Sequence, residues 1–138
     1  MPMDAIQALV TPINAAKIYA LFTLVVVGFQ FALAAGAPWG RVSMGGKFPG
    51  VYPPRMRVAA LFMVVVLSAV ALIVGVRAGW LVPEYLPFAR SFIWPVVIMN
   101  ALGLLMNLAT PSRWERILWA PVALVFLVCS VVVAMSKY

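Results

Sequence analysis

Histidine is absent from this sequence, cysteine occurs once, and only three side chains are acidic. Each scarcity removes a class of chemistry. Histidine is the usual general base near neutral pH and the commonest metal ligand. Cys129, being alone, forms no disulfide within one chain and belongs to no metal-binding cluster. Asp4, Glu84 and Glu115 have no visible catalytic partners, and catalysis usually needs a titratable group tuned near neutrality. The other titratable candidates are Lys17, Lys47, four tyrosines and Cys129. Glu84 sits between prolines, and Glu115, bracketed by Arg113 and Arg116, reads as a capping residue with neutralising neighbours. No metal and no cofactor is expected, and an enzyme is the least favoured functional class.

Charge of either sign is also scarce. Charged residues make up 9% of the 138 and hydrophobic ones 66%, whereas a soluble domain carries about 25% charge. So much apolar surface does not fit inside a soluble core of this size. The charges leave four windows bare, 18–40, 58–76, 91–112 and 117–136. A membrane-spanning helix needs about 20 residues, and a charge at the bilayer centre costs roughly 2.5–3.5 kcal/mol on insertion scales. Backbone exposed to lipid must satisfy its hydrogen bonds internally, which selects helices. The pattern predicts an all-α integral membrane four-helix bundle. It forms one domain over 1–138, with spans at about 15–35, 58–76, 91–108 and 117–135. A secretory signal would explain Lys17 before an apolar run and small residues at Ala34, Gly36 and Ala37. The long leading segment carrying Asp4 argues for a true first span. In that segment Asp4 is suited to cap a short helix, and Pro12 to bend or restart it.

What is present concentrates between the first two windows. The stretch GAPWGRVSMGGKFPGVYPPRMR, residues 36–57, holds five of the nine glycines together with Trp39, Arg41, Lys47, Arg55 and Arg57. Gly45-Gly46 is a two-residue turn signal compatible with a short β-hairpin. The pattern argues against a phosphate-binding loop, because no Ser or Thr follows Lys47 and the glycines lack a strand-to-helix context. The bland reading of the loop is interfacial anchoring. The sharper one is a binding surface built from Trp39, Arg41, Lys47, Arg55 and Arg57. Segment 77–90 mixes Trp80, Tyr85 and Phe88 with Glu84 and two arginines and is expected along the interface. Thr110-Pro111-Ser112 reads as a turn and N-cap, with Glu115 completing a capping box. Pro95 is expected near a first turn, and Pro121 further inside its helix.

Within the windows the polar residues fall on helix faces. Asn100, Gly103 and Asn107 share one face of the third span, and Thr23 and Gln30 lie seven apart on the first. Ser68, Ala71 and Gly75 form a small-residue stripe on the second. Such residues usually serve helix packing and interhelical hydrogen bonds. The functional alternative is a polar pocket or path along Gln30, Asn100 and Asn107. No acidic residue lies inside a window, which argues against proton-coupled export through an embedded carboxylate.

The net charge is +7. Because the cations flank apolar windows, the expected partners are membrane lipids with anionic headgroups, not nucleic acid. Arg41, Lys47, Arg55, Arg57, Arg113 and Arg116 lie on one side, and Lys17, Arg77, Arg90 and Lys137 on the other. The richer side is expected in the cytoplasm, with both termini outside.

The segments GAPWGRVSMGG, YPPRMR and SRWERILWAP resemble a family of small bacterial four-span membrane proteins. That family shares a Gly-Ala-Pro-Trp-Gly loop, a Gly-Gly pair and a Pro-Arg-x-Arg start to the second span. The resemblance implies the fold and a bacterial inner-membrane location, and no activity. The leading expectation is a non-enzymatic membrane protein that binds a lipid, a small ligand or a protein partner through loop 36–57. The second is a small channel or transporter, expected as a homo-oligomer. The third is an enzyme acting on a lipid-soluble substrate.

Overall fold

A computed structural model describes residues 2–137; the outermost residue at each end of the expected 1–138 domain lies outside them. Five α-helices follow one another: α1 (Met3–Leu9), α2 (Pro12–Ala35), α3 (Pro54–Arg77), α4 (Leu86–Ala109) and α5 (Arg113–Ala134). The last four are long and apolar enough to cross a membrane, as the bare windows predict. Each begins a few residues before its window because the charged ends extend the helix beyond the hydrocarbon.

Local chemistry sets the boundaries. Thr11 caps α2 by accepting a hydrogen bond from the Asn14 amide at 3.1 Å, with Pro12 at the first helical position. Pro12 thus restarts the chain after α1. Asp4 does not cap α1; it lies in the first turn, where its charge complements the helix dipole. Gly36 ends α2 with φ 105°, a left-handed conformation that suits glycine, and the Ala37 amide returns to the Ala32 carbonyl. Pro54 opens α3. Segment 77–90 is partly helical: a 3-10 turn at Pro83–Tyr85 leads straight into α4 at Leu86. Pro95 consequently sits in the interior of α4 and not near its first turn.

Among the described residues there is no strand, so the hairpin expected at Gly45-Gly46 does not form. The loop instead makes two single 3-10 turns, Gly40–Val42 and Met44–Gly46. Gly45 and Gly46 both have positive φ, but they turn the chain onto the α4–α5 connection, not into a ladder. The Gly40 amide donates to the Gly50 carbonyl at 2.9 Å, which closes the loop on itself. A Cβ on Gly40 would run into the Phe48 carbonyl oxygen, so the closure requires glycine there.

The helices run up and down in a square: α2 packs on α3 and α5, and α4 on α5 and, more sparsely, on α3. The loop and the α4–α5 turn share one end of the bundle; α1 and the α3–α4 connection share the other. The larger core cluster fills the second end, with Tyr19, Val74, Ile93, Phe126 and Val133 drawn from all four spans. A smaller cluster of Leu33, Tyr52 and Ala60 ties α2, α3 and the loop at the first. Outward faces carry Leu24, Phe62, Val65, Leu105 and Val128, more than half exposed, the apolar surface expected to meet lipid.

Candidate functional site

Between the two core clusters lies a cavity of about 270 Å³, lined by all four spans and by the loop. Its polar lining consists of Gln30, Ser43, Asn100, Asn107 and Glu115. The structure therefore gathers Gln30, Asn100 and Asn107 around one space. Apolar walls come from Phe29, Val66, Leu67, Trp119, Val122 and Phe126. Met63 on α3 and Met99 on α4 also line it, and each is 37% exposed. They lie on α3 and α4, the neighbouring pair that packs least closely, which suits a lateral mouth there. A Cβ placed on Gly103 would meet nothing within 4 Å, so this glycine leaves room at the cavity wall.

Hydrogen bonds hold the loop over that space. The Gly45 amide donates to Glu115 Oε2 at 2.9 Å, and the Thr110 hydroxyl donates to the same oxygen at 2.6 Å. The Ser112 hydroxyl donates to the Arg41 carbonyl at 2.8 Å, and Trp119 Nε1–H to the Val42 carbonyl at 2.8 Å. Each such bond contributes on the order of 1 kcal/mol net, more where the acceptor is charged. Inside the loop the Tyr52 hydroxyl donates to Ser43 Oγ at 2.7 Å. Burial pushes the Tyr52 phenol above its usual pKa, partly offset by the Ser43 hydrogen bond; the Glu115 charge adds a smaller upward push.

Glu115 departs from the role read from its neighbours. Ser112 Oγ accepts from the Glu115 amide at 3.3 Å, the forward half of a capping box. The reciprocal half is missing, because the Ser112 amide turns to Thr110 Oγ1 and the carboxylate reaches the loop. The Arg116 guanidinium donates to the Thr110 carbonyl at 2.7 Å.

The loop candidates spread over its outer face. Trp39 is half exposed and stacks on Phe29 at 6.0 Å. It shares a shallow outer depression with Arg41. Arg57 donates from Nε to the Tyr52 carbonyl at 3.0 Å, with its guanidinium against Gly36. Lys47 and Arg55 are exposed. None of these five lines the cavity between the core clusters.

Below the cavity the polar groups pair with each other. The Tyr19 hydroxyl donates to Asn100 Oδ1 at 3.2 Å, and Asn100 Nδ2 donates to Ser130 Oγ at 3.1 Å, joining α2, α4 and α5. The Tyr19 and Phe126 rings meet at 4.6 Å. Asn107 donates to the Gly103 carbonyl of its own helix, and Thr23 to that of Tyr19. On the small-residue stripe Ser68 is exposed, while Gly75 is buried.

Glu115, Trp119, Phe29 and Ser43 were not singled out as site residues by sequence reasoning. A signal existed for the first two. Glu115, Trp119, Val122 and Phe126 follow the i, i+4, i+7, i+11 pattern of one helix face, and all four line the cavity. The chain matches no protein-family model, no curated protein and no solved structure, so the resemblance of its loop segments adds no site residue.

Proposed function

We propose that this protein is a non-catalytic membrane component that holds a small amphipathic ligand, a lipid or lipid-like molecule, in the cavity beneath loop 36–53. The observation that carries the reading is the composition of that cavity. Apolar walls lead from a lateral mouth at Met63 and Met99 to polar groups gathered under the loop. Ligand sites are typically concave and mostly apolar, with a few placed polar groups. Methionine at the mouth suits varied apolar shapes, because its side chain is flexible and polarisable. At 270 Å³ the space suits a headgroup and the first part of a chain. The loop serves as a roof, which accounts for its length beside the short α4–α5 turn. Conduction is less well supported, because below Asn100 the core is filled by Tyr19, Phe126 and Ser130.

In this reading the loop end faces the cytoplasm of a bacterial cell and the chain sits in the inner membrane. The six cations at the loop end support that orientation. On the opposite side Arg77 is withdrawn into the protein, which leaves Lys17, Arg90 and Lys137 exposed. The bacterial setting rests on the resemblance of the loop segments alone.

Native mass spectrometry of gently extracted protein tests the ligand reading. The unmodified protein is expected to retain a defined adduct that Gly103→Leu, which fills the open space, loses. Identical adduct patterns in both, or a bare protein in both, would overturn it. The same spectra report whether a second copy or another membrane protein travels with the chain.

A further inference from the structure

The cavity inverts the charge balance of the chain. The sequence has ten cationic residues and three acidic ones, yet the lining contains one acid, Glu115, and no lysine or arginine. Arg41 and Lys47 of the overlying loop are exposed and lie outside the lining. Both hydrogen bonds made by the Glu115 carboxylate fall on Oε2. Its Oε1 accepts none among the described residues and is not one of the buried unpaired atoms, so it is accessible. Trp119 is four residues along the same helix face from Glu115, and its ring meets that of Phe29 edge-on at 4.7 Å. Both rings belong to the cavity wall.

From this arrangement we infer that the ligand carries a cationic head, an ammonium group on a hydrocarbon tail. The inference rests on the ligand-binding reading above and specifies its chemistry. A carboxylate with one free oxygen attracts an ammonium strongly where water is scarce, and aromatic faces add attraction for a cation. Gln30 and Asn107 offer uncharged amides that suit either sign. An anionic head would be set against Glu115 with no lining cation to offset the repulsion. The N-terminal dipole of α5 does not reverse this, because Glu115 is itself the anion in that first turn. The tail would lie along Val66, Leu67 and Val122 and leave past Met63 and Met99.

The test uses the full chain in nanodiscs of zwitterionic lipid and three amphipaths that share a decyl tail: decyltrimethylammonium, decyl phosphate and decyl glucoside. Binding is followed by tryptophan fluorescence, with Gly103→Leu discs as the lipid-partition background. The ammonium is expected to bind about tenfold or more tighter than the phosphate. Glu115→Gln should erase that preference, since glutamine removes the charge while still offering an oxygen to Gly45 and Thr110. Equal or tighter phosphate binding, or a preference that survives Glu115→Gln, overturns the cationic head. If the glucoside binds in a Gly103-dependent way and the ammonium gains nothing, the ligand reading stands and this inference falls. If no amphipath distinguishes unmodified protein from Gly103→Leu, both fall. The ranking of heads on the unmodified protein decides alone should Glu115→Gln not fold.

Discussion

The two ends of this bundle solve opposite problems with the same four helices. At the terminal end the helices close on one another. Arg77, 6% exposed, reaches from the end of α3 to the end of α5, where Nη1 donates to Ser136 Oγ at 2.8 Å and Nη2 to the Ser136 carbonyl at 3.0 Å. A cation on the last carbonyls of a helix is favoured by the dipole and satisfies orphan acceptors. Lys17 sits over the Trp80 ring at 5.8 Å. Toward the loop end the four helices and the loop line a cavity, roofed by hydrogen bonds from backbone and neutral side chains. The first end is held by packing and a buried guanidinium. The second is held by directional polar bonds around a space.

Substitutions at the two ends should separate them. The largest effect is expected from Gly40→Val, which drives a branched side chain into the Phe48 carbonyl. A loss of about 3 kcal/mol is expected, seen as a lower Tm in detergent and faster amide exchange across residues 40–50. An unchanged exchange pattern would mean the roof is not closed at Gly40. Next, Arg77→Leu should cost about 2 kcal/mol through lost charge-assisted hydrogen bonds. Its exchange signature should fall at residues 131–136, far from the loop.

A matched pair sharpens the contrast. Val74→Phe enlarges a fully buried side chain at the packed end and should destabilise by about 1–3 kcal/mol. Gly103→Leu adds comparable bulk beside the cavity and should be neutral, or stabilising by about 1 kcal/mol through helix propensity. Equal losses in the two variants would show that the space at Gly103 is not open in the membrane. The smallest effect concerns Tyr52. Its folded pKa lies above that of the unfolded chain, so above about pH 10 the unfolded chain gives up its proton first. Stability should therefore fall as pH rises past that point and be unaffected below it. Tm measured against pH for unmodified protein and Tyr52→Phe isolates the contribution, and parallel curves would contradict it.

The four spans were legible because hydrocarbon penalises each charge separately. The bare windows are a one-dimensional record of a one-dimensional constraint. Helix ends were legible where a single residue type decides them, as at Ser112; the Thr11 cap, which starts α2 at Pro12 ahead of the expected Ala15, was not foreseen. Asn100 and Asn107 could be placed on one face because helical periodicity is local. The loop was less legible. Gly45-Gly46 permits the left-handed backbone of a hairpin turn, but equally permits the 3-10 turn that brings the Gly45 amide to Glu115, 70 positions away. Glu115 itself looked neutralised by adjacent arginines, since sequence neighbours are visible and spatial ones are not. Composition and spacing alone thus determined the solvent, the number of spans and the run of each helix. Only tertiary structure decided that the four spans and the loop enclose a cavity and that Glu115 lines it. Both depend on contacts between residues far apart in the chain, whose free energies no local pattern records.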